Sequence, residues 1–126
     1  PLLARAVRLT LAEAASEWLS AHIREELPEG FGGAKIIRPA PGYSSCPDHS
    51  LKRDILRLLP GSGELGITLL DSCAMIPDAS ICGLVFIHPD ASYPEIRRAS
   101  RTTIDDYAAR RGMTGPDKAR FLGHLL

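Results

Sequence analysis

Proline and glycine are unevenly distributed along this chain. Its 126 residues include 11 glycines and 10 prolines, but none of them lies between Leu2 and Leu27. From Pro28 onward they interrupt the sequence repeatedly, and each one favours a turn or the end of an element. The sequence therefore predicts one long N-terminal helix over residues 2–27, followed by short elements joined by loops.

The N-terminal helix is predicted to be amphipathic. Apolar residues recur at three- and four-residue steps and form one stripe, which consists of Leu11, Ala15, Trp18, Leu19, Ile23 and Leu27. Glu13, Glu17 and Arg24 fall on the opposite side, and Pro28 with Gly30 ends the helix. We expect the apolar stripe to face the core.

Three further helices and a strand are predicted. The second helix covers residues 47–59, and its inner face is formed by Leu51, Ile55, Leu58 and Leu59. Ser45 and Asp48 resemble a capping box at its start. The other helices are expected over residues 103–111 and after residues 114–117, and a short strand over residues 36–37.

Two apolar runs predict β-structure in the middle of the chain. Residues 65–76 and 80–87 are joined near Pro77 and Asp78, a spacing typical of an antiparallel hairpin. The resulting order of elements is α, β, α, β, β, α, α. This order differs from a βαβ alternation and indicates one α+β domain over residues 1–126, a small antiparallel sheet with a central hairpin, covered by helices.

Charge and hydropathy exclude two classes of partner. The 15 basic and 15 acidic residues cancel, giving a net charge of zero, whereas nucleic-acid binders need clustered positive charge. We therefore expect no nucleic acid as a partner. The sequence also lacks an apolar run of the ~20 residues that a membrane span requires, so we expect no membrane association.

The cysteines indicate a reducing compartment. Cys46, Cys73 and Cys82 are an odd number and form no CxxC pair, a pattern that favours a cytoplasmic protein. If residues 77–78 form a two-residue turn, Ile76 pairs with Ala79 and Cys73 lies opposite Cys82. Even in that register we predict three free thiols.

Two short motifs have both a functional and a structural interpretation. The glycine-rich residues 30–33 resemble a phosphate-binding loop, but they follow a helix and lack the required spacing, so a flexible turn is favoured. Cys46 and His49 form half of a possible zinc site with no second half, so a helix start is the favoured explanation for them. We predict no metal site.

Isolated polar side chains give no catalytic signature. His22 lies in the apolar stripe of the first helix, where a half-buried, hydrogen-bonded histidine is commoner than a catalytic one. Glu13 and Glu17 are one turn apart, as an acid/base pair can be, although solvated carboxylates are commoner. The basic residues within 97–101 form either a solvated face or a contact for an acidic partner. We predict no catalytic residue.

The most unusual segment is residues 38–43, with the sequence RPAPGY. Its prolines and glycine fix the backbone between Arg38 and Tyr43. An arginine held in this way at the end of a strand can grip a carboxylate with its planar guanidinium. The segment therefore predicts a ligand-binding loop.

Five blocks of the sequence resemble the activation domain of cobalamin-dependent methionine synthase. They occur in the family's order along nearly the whole chain: residues 11–14 (LAEA), 38–49 (RPAPGYSSCPDH), 66–75 (GITLLDSCAM), 80–89 (SICGLVFIHP) and 105–113 (DDYAARRGM). The chain resembles only the C-terminal part of that domain. It also departs from the family pattern at Asp71, usually Glu, and at Ile76, where Trp is common.

The resemblance implies a fold and a function. The family fold is a bent antiparallel sheet that binds S-adenosylmethionine in a shallow groove. The implied activity is reductive reactivation in methionine biosynthesis, in which a flavodoxin-type donor reduces the corrinoid and cob(I)alamin then takes the methyl group. Cobalamin is bound mainly by a separate corrinoid-binding module. The resemblance thus favours part of a methyltransferase, and the alternative is a non-catalytic, stand-alone module that binds S-adenosylmethionine or a corrinoid protein.

The resemblance also assigns binding residues for S-adenosylmethionine. Arg38 is expected to clamp the ligand carboxylate, while Gly42 and Tyr43 shape the groove. Tyr93 and Pro94 occupy the positions that line the adenosine side, and Glu13 is a candidate for a polar contact. The acidic residue that meets the ligand's amine in the family lies upstream and has no counterpart in this chain.

Overall fold

The structure, a computed structural model, describes residues 2–126. Its helices are α1 (Leu2–Glu25), α2 (Leu51–Leu58), α3 (Arg101–Arg110) and α4 (Gly115–Leu122), and α4 continues into a 3-10 turn at Gly123–Leu125. Its strands are β1 (Lys35–Ile37), β2 (Thr68–Leu69), β3 (Met75–Ile76) and β4 (Phe86–His88). The predicted α+β class is confirmed, with one strand more than expected.

Helix α1 packs through a different face from the one predicted. Leu11, Trp18 and Leu19 are exposed, and no side chain of α1 is buried. The half-buried positions are instead Ala12, Ser16, Ser20 and Ile23, which repeat at three- and four-residue steps. Within α1 the predicted stripe is half-buried only at Ile23, because the prediction ranked positions by hydrophobicity, whereas α1 otherwise meets the rest of the chain through small and polar side chains.

The predicted hairpin between residues 65–76 and 80–87 does not form, and the central hairpin uses other strands. Strands β2 and β3 both come from the run 65–76 and pair with each other, Thr68 opposite Ile76. The turn between them lies at residues 70–74, where Leu70 N–H donates to Ala74 O. Asp71 and Ser72 fall inside the apolar run and supply this turn, because both residue types favour turns over strand interiors.

The second sheet joins parts of the chain that are far apart in sequence. Strand β4 pairs antiparallel with β1, and Lys35, Ile36 and Ile37 face His88, Ile87 and Phe86. The described residues therefore form two separate two-stranded sheets rather than the single sheet that was predicted. Such small sheets are marginal alone and depend on the elements that pack against them.

The predicted pairing of Ile76 with Ala79, and of Cys73 with Cys82, is wrong. Ile76 faces Thr68, and Cys73 is a fully buried turn residue with a φ of 62°. All three cysteines are free, in agreement with the prediction of unpaired thiols.

The hydrophobic core lies at the C-terminal end. It combines one turn residue with side chains of α3, α4 and the 3-10 turn: Cys73, Ile104, Ala108, Phe121, Leu122 and Leu125. Ser100 and Thr114 cap the two helices, since their side-chain oxygens accept from Thr103 N and Asp117 N. These caps explain why both helices form next to proline- and glycine-containing loops.

Helix α2 is shorter than predicted. It begins at Leu51 and packs through Ile55, while Leu58 and Leu59 are exposed. Ser50 occupies the N-cap position without a side-chain bond, and the predicted capping box of Ser45 and Asp48 does not form. Prolines and polar side chains up to residue 50 instead hold the chain in turns.

Within residues 2–126, no helix has the length and hydropathy needed to cross a membrane.

Replacing Phe121 tests where the core lies. Phe121 is 3% exposed, so Phe121→Ala is expected to lower the free energy of unfolding by about 3–5 kcal/mol. Leu58 is 76% exposed, and Leu58→Ala is expected to change the free energy of unfolding by less than ~0.5 kcal/mol. Urea denaturation followed by circular dichroism measures both; equal losses would contradict this location of the core.

Candidate functional site

An open groove of ≈ 680 Å³ lies between α1, the segment after β1 and the segment before β4. Its walls combine small, apolar and aromatic side chains with two charged ones, Glu13 and Arg38. The lining residues used below are Glu13, Ser16, Arg38, Tyr43, Leu84 and Tyr93. The volume is in the range of small-molecule sites.

Arg38 follows β1 directly and points its guanidinium at α1. Nη1 donates to both the carbonyl and the hydroxyl oxygen of Ser16, and Nη2 contacts the Glu17 carboxylate at 2.5 Å. Two bonds to Ser16 and one to Glu17 use three of the five N–H donors of the guanidinium. The side chain is therefore held in place, and these contacts leave two of its N–H groups unused.

Tyr93, on the opposite wall of the groove, contacts the backbone just after the end of β1. Its hydroxyl accepts a hydrogen bond of 2.7 Å from the backbone N–H of Arg38. The Tyr93 side chain lines the groove and is half exposed. The long-range pairing of β4 with β1 brings Tyr93 within reach, because Tyr93 follows β4 along the chain.

Tyr43 is presented by a tight turn over residues 40–46. Tyr43 N–H donates to Ala40 O, Cys46 N–H donates to Tyr43 O, and Gly42 N–H donates to Cys46 O. Tyr43 is 66% exposed, so its ring stands out from the turn at the edge of the groove.

Gly42 is required by this turn for two reasons. Its φ of +104° lies in a region that residues with a Cβ rarely adopt. A Cβ at this position would also overlap the imidazole ring of His49. Gly42 therefore shapes the groove from behind, and its own atoms do not line it.

The structure brings together four of the six predicted binding residues. Glu13, Arg38, Tyr43 and Tyr93 line one groove, whereas Gly42 lies behind it and Pro94 lies outside the lining set. Sequence reasoning missed Ser16 and His49 as supports of the site and treated Glu17 as a solvated carboxylate. The four-residue spacing of Ala12, Ser16 and Ser20 was the available signal for the inner face of α1.

Residues 38–49, the signature segment, are anchored to the core by a buried carboxylate. Asp48 is 3% exposed, and its oxygens accept from Ser50 N–H at 2.8 Å and from the Tyr107 hydroxyl at 2.9 Å. Burial, then the hydrogen bond and charge of Asp48, raise the pKa of Tyr107 well above its ordinary value. Tyr107 therefore stays a neutral donor to Asp48.

The other predicted motifs do not form a reactive centre. Burial, then the nearby charge of Asp48, raises the pKa of the Cys46 thiol, which keeps it protonated and weakly nucleophilic. His22 is exposed and stacks on Trp18 at 5.1 Å, contrary to the half-buried position predicted for it. Among residues 2–126 there is no cluster of three or more potential metal ligands.

Comparison with known proteins assigns the family. Residues 1–112 match the sequence model of the family described as "Vitamin B12 dependent methionine synthase, activation domain". This chain belongs to that family. The similarity predicted from the five sequence blocks is thereby confirmed.

A solved member of the family has the same architecture. The crystal structure of the MetH reactivation domain bound to AdoHcy is 35% identical in sequence and superposes with a TM-score of 0.79. The match covers 92% of this chain and 39% of that one. This chain thus spans well under half the length of the activation domain that it matches.

Substitution of Gly42 separates backbone strain from the contact with His49. Gly30 has a similar φ of +105° but open space around it, so Gly30→Ala is expected to cost about 1 kcal/mol of unfolding free energy. Gly42→Ala adds the overlap with His49 and is expected to cost about 2–4 kcal/mol. Thermal unfolding measures both variants. In the double variant Gly42→Ala/His49→Ala, the additional loss of unfolding free energy caused by Gly42→Ala, relative to Gly30→Ala, should disappear. If this additional loss persists, the His49 ring is not what excludes a Cβ at position 42.

Proposed function

We propose that this chain is the S-adenosylmethionine-binding portion of a reactivation module for cobalamin-dependent methionine synthase. The observation that carries the proposal is the convergence of Arg38, Tyr43, Tyr93 and Glu13 on one groove in a member of this family. The AdoHcy bound to the related MetH domain supports a ligand of this type.

The groove fits the chemistry of such a ligand. The remaining donors of Arg38 suit a carboxylate, which a guanidinium binds through two parallel hydrogen bonds. The exposed rings of Tyr43 and Tyr93 offer flat apolar surfaces for a purine, and Leu84 adds an aliphatic contact. Glu13 is the acidic side chain placed to meet a positive charge.

The proposed reaction requires positioning more than acid or base catalysis. Bound in the groove, S-adenosylmethionine would supply its sulfonium methyl group to the cob(I) form of a corrinoid on the partner module and would leave as the thioether S-adenosylhomocysteine. The groove residues then have to bind the ligand, orient it and leave the methyl group open to the corrinoid. An open groove suits this role, since the acceptor arrives on another module.

The partners in this proposal are a corrinoid-binding module and a flavodoxin-type electron donor, and the location is the cytoplasm. The three free cysteines agree with a reducing compartment. The exposed apolar face of α1, which includes Leu11 and Trp18, supports the presence of a further protein segment against this helix.

A second candidate is a non-catalytic binding module. It would use the same groove, and this chain matches 39% of the length of the related reactivation domain. A module of this kind binds the ligand or a corrinoid protein without completing methyl transfer.

Arg38→Lys tests the carboxylate clamp. A lysine cannot form two parallel hydrogen bonds, so both Arg38→Lys and Arg38→Ala are expected to lose ~1.5–3 kcal/mol of binding free energy, about 10- to 100-fold in affinity. Arg97, which pairs with Glu95 at the surface, provides the control Arg97→Ala. Calorimetric titration of S-adenosylmethionine gives the affinities; equal values for wild type and Arg38→Ala would exclude the clamp.

Cob(II)alamin reactivation distinguishes the two candidates. The chain is mixed with S-adenosylmethionine, a one-electron donor and the corrinoid module, and the visible spectrum is followed. Methylcobalamin that forms only when both the chain and the corrinoid module are present supports the reactivation role. Ligand binding without any stimulation, even with the upstream part of the activation domain supplied, supports the binding module.

A further inference from the structure

The turn that presents Tyr43 rests on the side chain of His49. The three atoms nearest to a Cβ built on Gly42 all belong to the His49 imidazole, so the ring packs directly against the Gly42 backbone. Any shift of this ring must move the turn or open a gap beneath it. The position of His49 therefore sets the position of Gly42 and Tyr43 at the edge of the groove.

Lys52 connects the His49 ring to the core. The Lys52 ammonium nitrogen lies 3.1 Å from His49 Nδ1 and also donates to the carbonyl oxygen of Cys73 at 3.2 Å. Lys52 is 8% exposed, and Cys73 is fully buried in the core. Because an ammonium group only donates, Nδ1 must accept, which requires a neutral imidazole protonated on Nε2.

The charges around His49 also favour the neutral ring. Partial burial lowers the pKa of His49, and so do the electrostatic effects of Lys52 on α2 and of His124 on the 3-10 turn. The charge of the neighbouring Asp48 acts in the opposite direction. Protonation of Nδ1 removes the acceptor and places two positive charges side by side. The contact with Lys52 is therefore lost when His49 is charged.

We propose that His49 is a positioning residue of the groove: its neutral ring, held by Lys52, supports the turn of Gly42 and Tyr43, and its protonation withdraws that support. The consequence for ligand affinity rests on the proposed function, whereas the coupling of the turn to His49 is a property of the ligand-free chain. No role in bond making or breaking is assigned to His49.

A pH titration of the ligand-free chain by NMR tests the coupling directly. As the pH falls from 8 to 5, the ring C–H signals of His49 and the backbone amide signals of Gly42 and Tyr43 are expected to shift with one midpoint, below the ordinary value of 6.5. Lys52→Met removes a charge that lowers the pKa of His49, so all these midpoints should rise together. Independent midpoints for His49 and the two amides in the wild-type chain would overturn the proposal, and this comparison requires no variant.

Affinity provides the second measurement. Binding favours neutral His49, so affinity for S-adenosylmethionine is full above pH 6.5 and falls as the pH drops through the lowered pKa, by about three- to tenfold between pH 7.5 and 5. His49→Asn keeps an acceptor near the Nδ1 position but cannot titrate, and should remove this dependence. His88→Gln, at an exposed histidine ending β4, is the matched control and should retain it.

The outcomes separate this inference from the proposed function. The ligand's own ionisations are common to all variants, so the difference between wild type and His49→Asn is decisive. Parallel pH profiles for the two would overturn the inference. If the Gly42 amide follows His49 but the chain binds no ligand at pH 7.5, the support of the turn stands and the proposed function fails.

Discussion

The buried carboxylate of Asp48 is the interaction on which the site depends most. Removing such a group from water is costly unless its oxygens are hydrogen-bonded, and here Ser50 N–H and the Tyr107 hydroxyl satisfy them. Arg111 Nε, 3.8 Å away, adds an opposite charge. The Asp48 side chain thus connects the end of the signature segment, and Ser50 just before α2, to Tyr107 of α3. The groove is in this way attached to the C-terminal core.

Further contacts between neighbouring residues fix the turn and the walls of the groove. Prolines on either side of Ala40 and the positive φ of Gly42 shape the turn, and the ring of His49 supports it from below. On the far side, Arg38 joins β1 to α1 through Ser16 and Glu17. A groove assembled in this way offers pre-set donors and aromatic surfaces, which the proposed ligand-positioning role requires.

Local signals made much of the fold predictable from the sequence. The stretch without proline or glycine indicated α1, and the fixed backbone of residues 38–43 indicated the loop that lines the groove. The two C-terminal helices were also expected, but they begin earlier than predicted, at Arg101 and Gly115, because Ser100 and Thr114 cap them. The strand pairing was not predictable in the same way, because β1 and β4 are far apart in sequence and neither pattern specifies its partner. Hydrophobicity likewise misplaced the inner face of α1, where Arg38 donates to Ser16.

The absence of any buried side chain in α1 has a consequence for how the groove behaves. A helix attached mainly by polar contacts at one face can detach at a small fraction of the free energy needed to unfold the C-terminal core. The wall of the groove that α1 forms is therefore less stable than the opposite wall, which includes the turn of residues 40–46. A molecule that touches both walls adds its binding free energy to the attachment of α1, so occupancy of the groove and order of the N-terminal helix are thermodynamically linked.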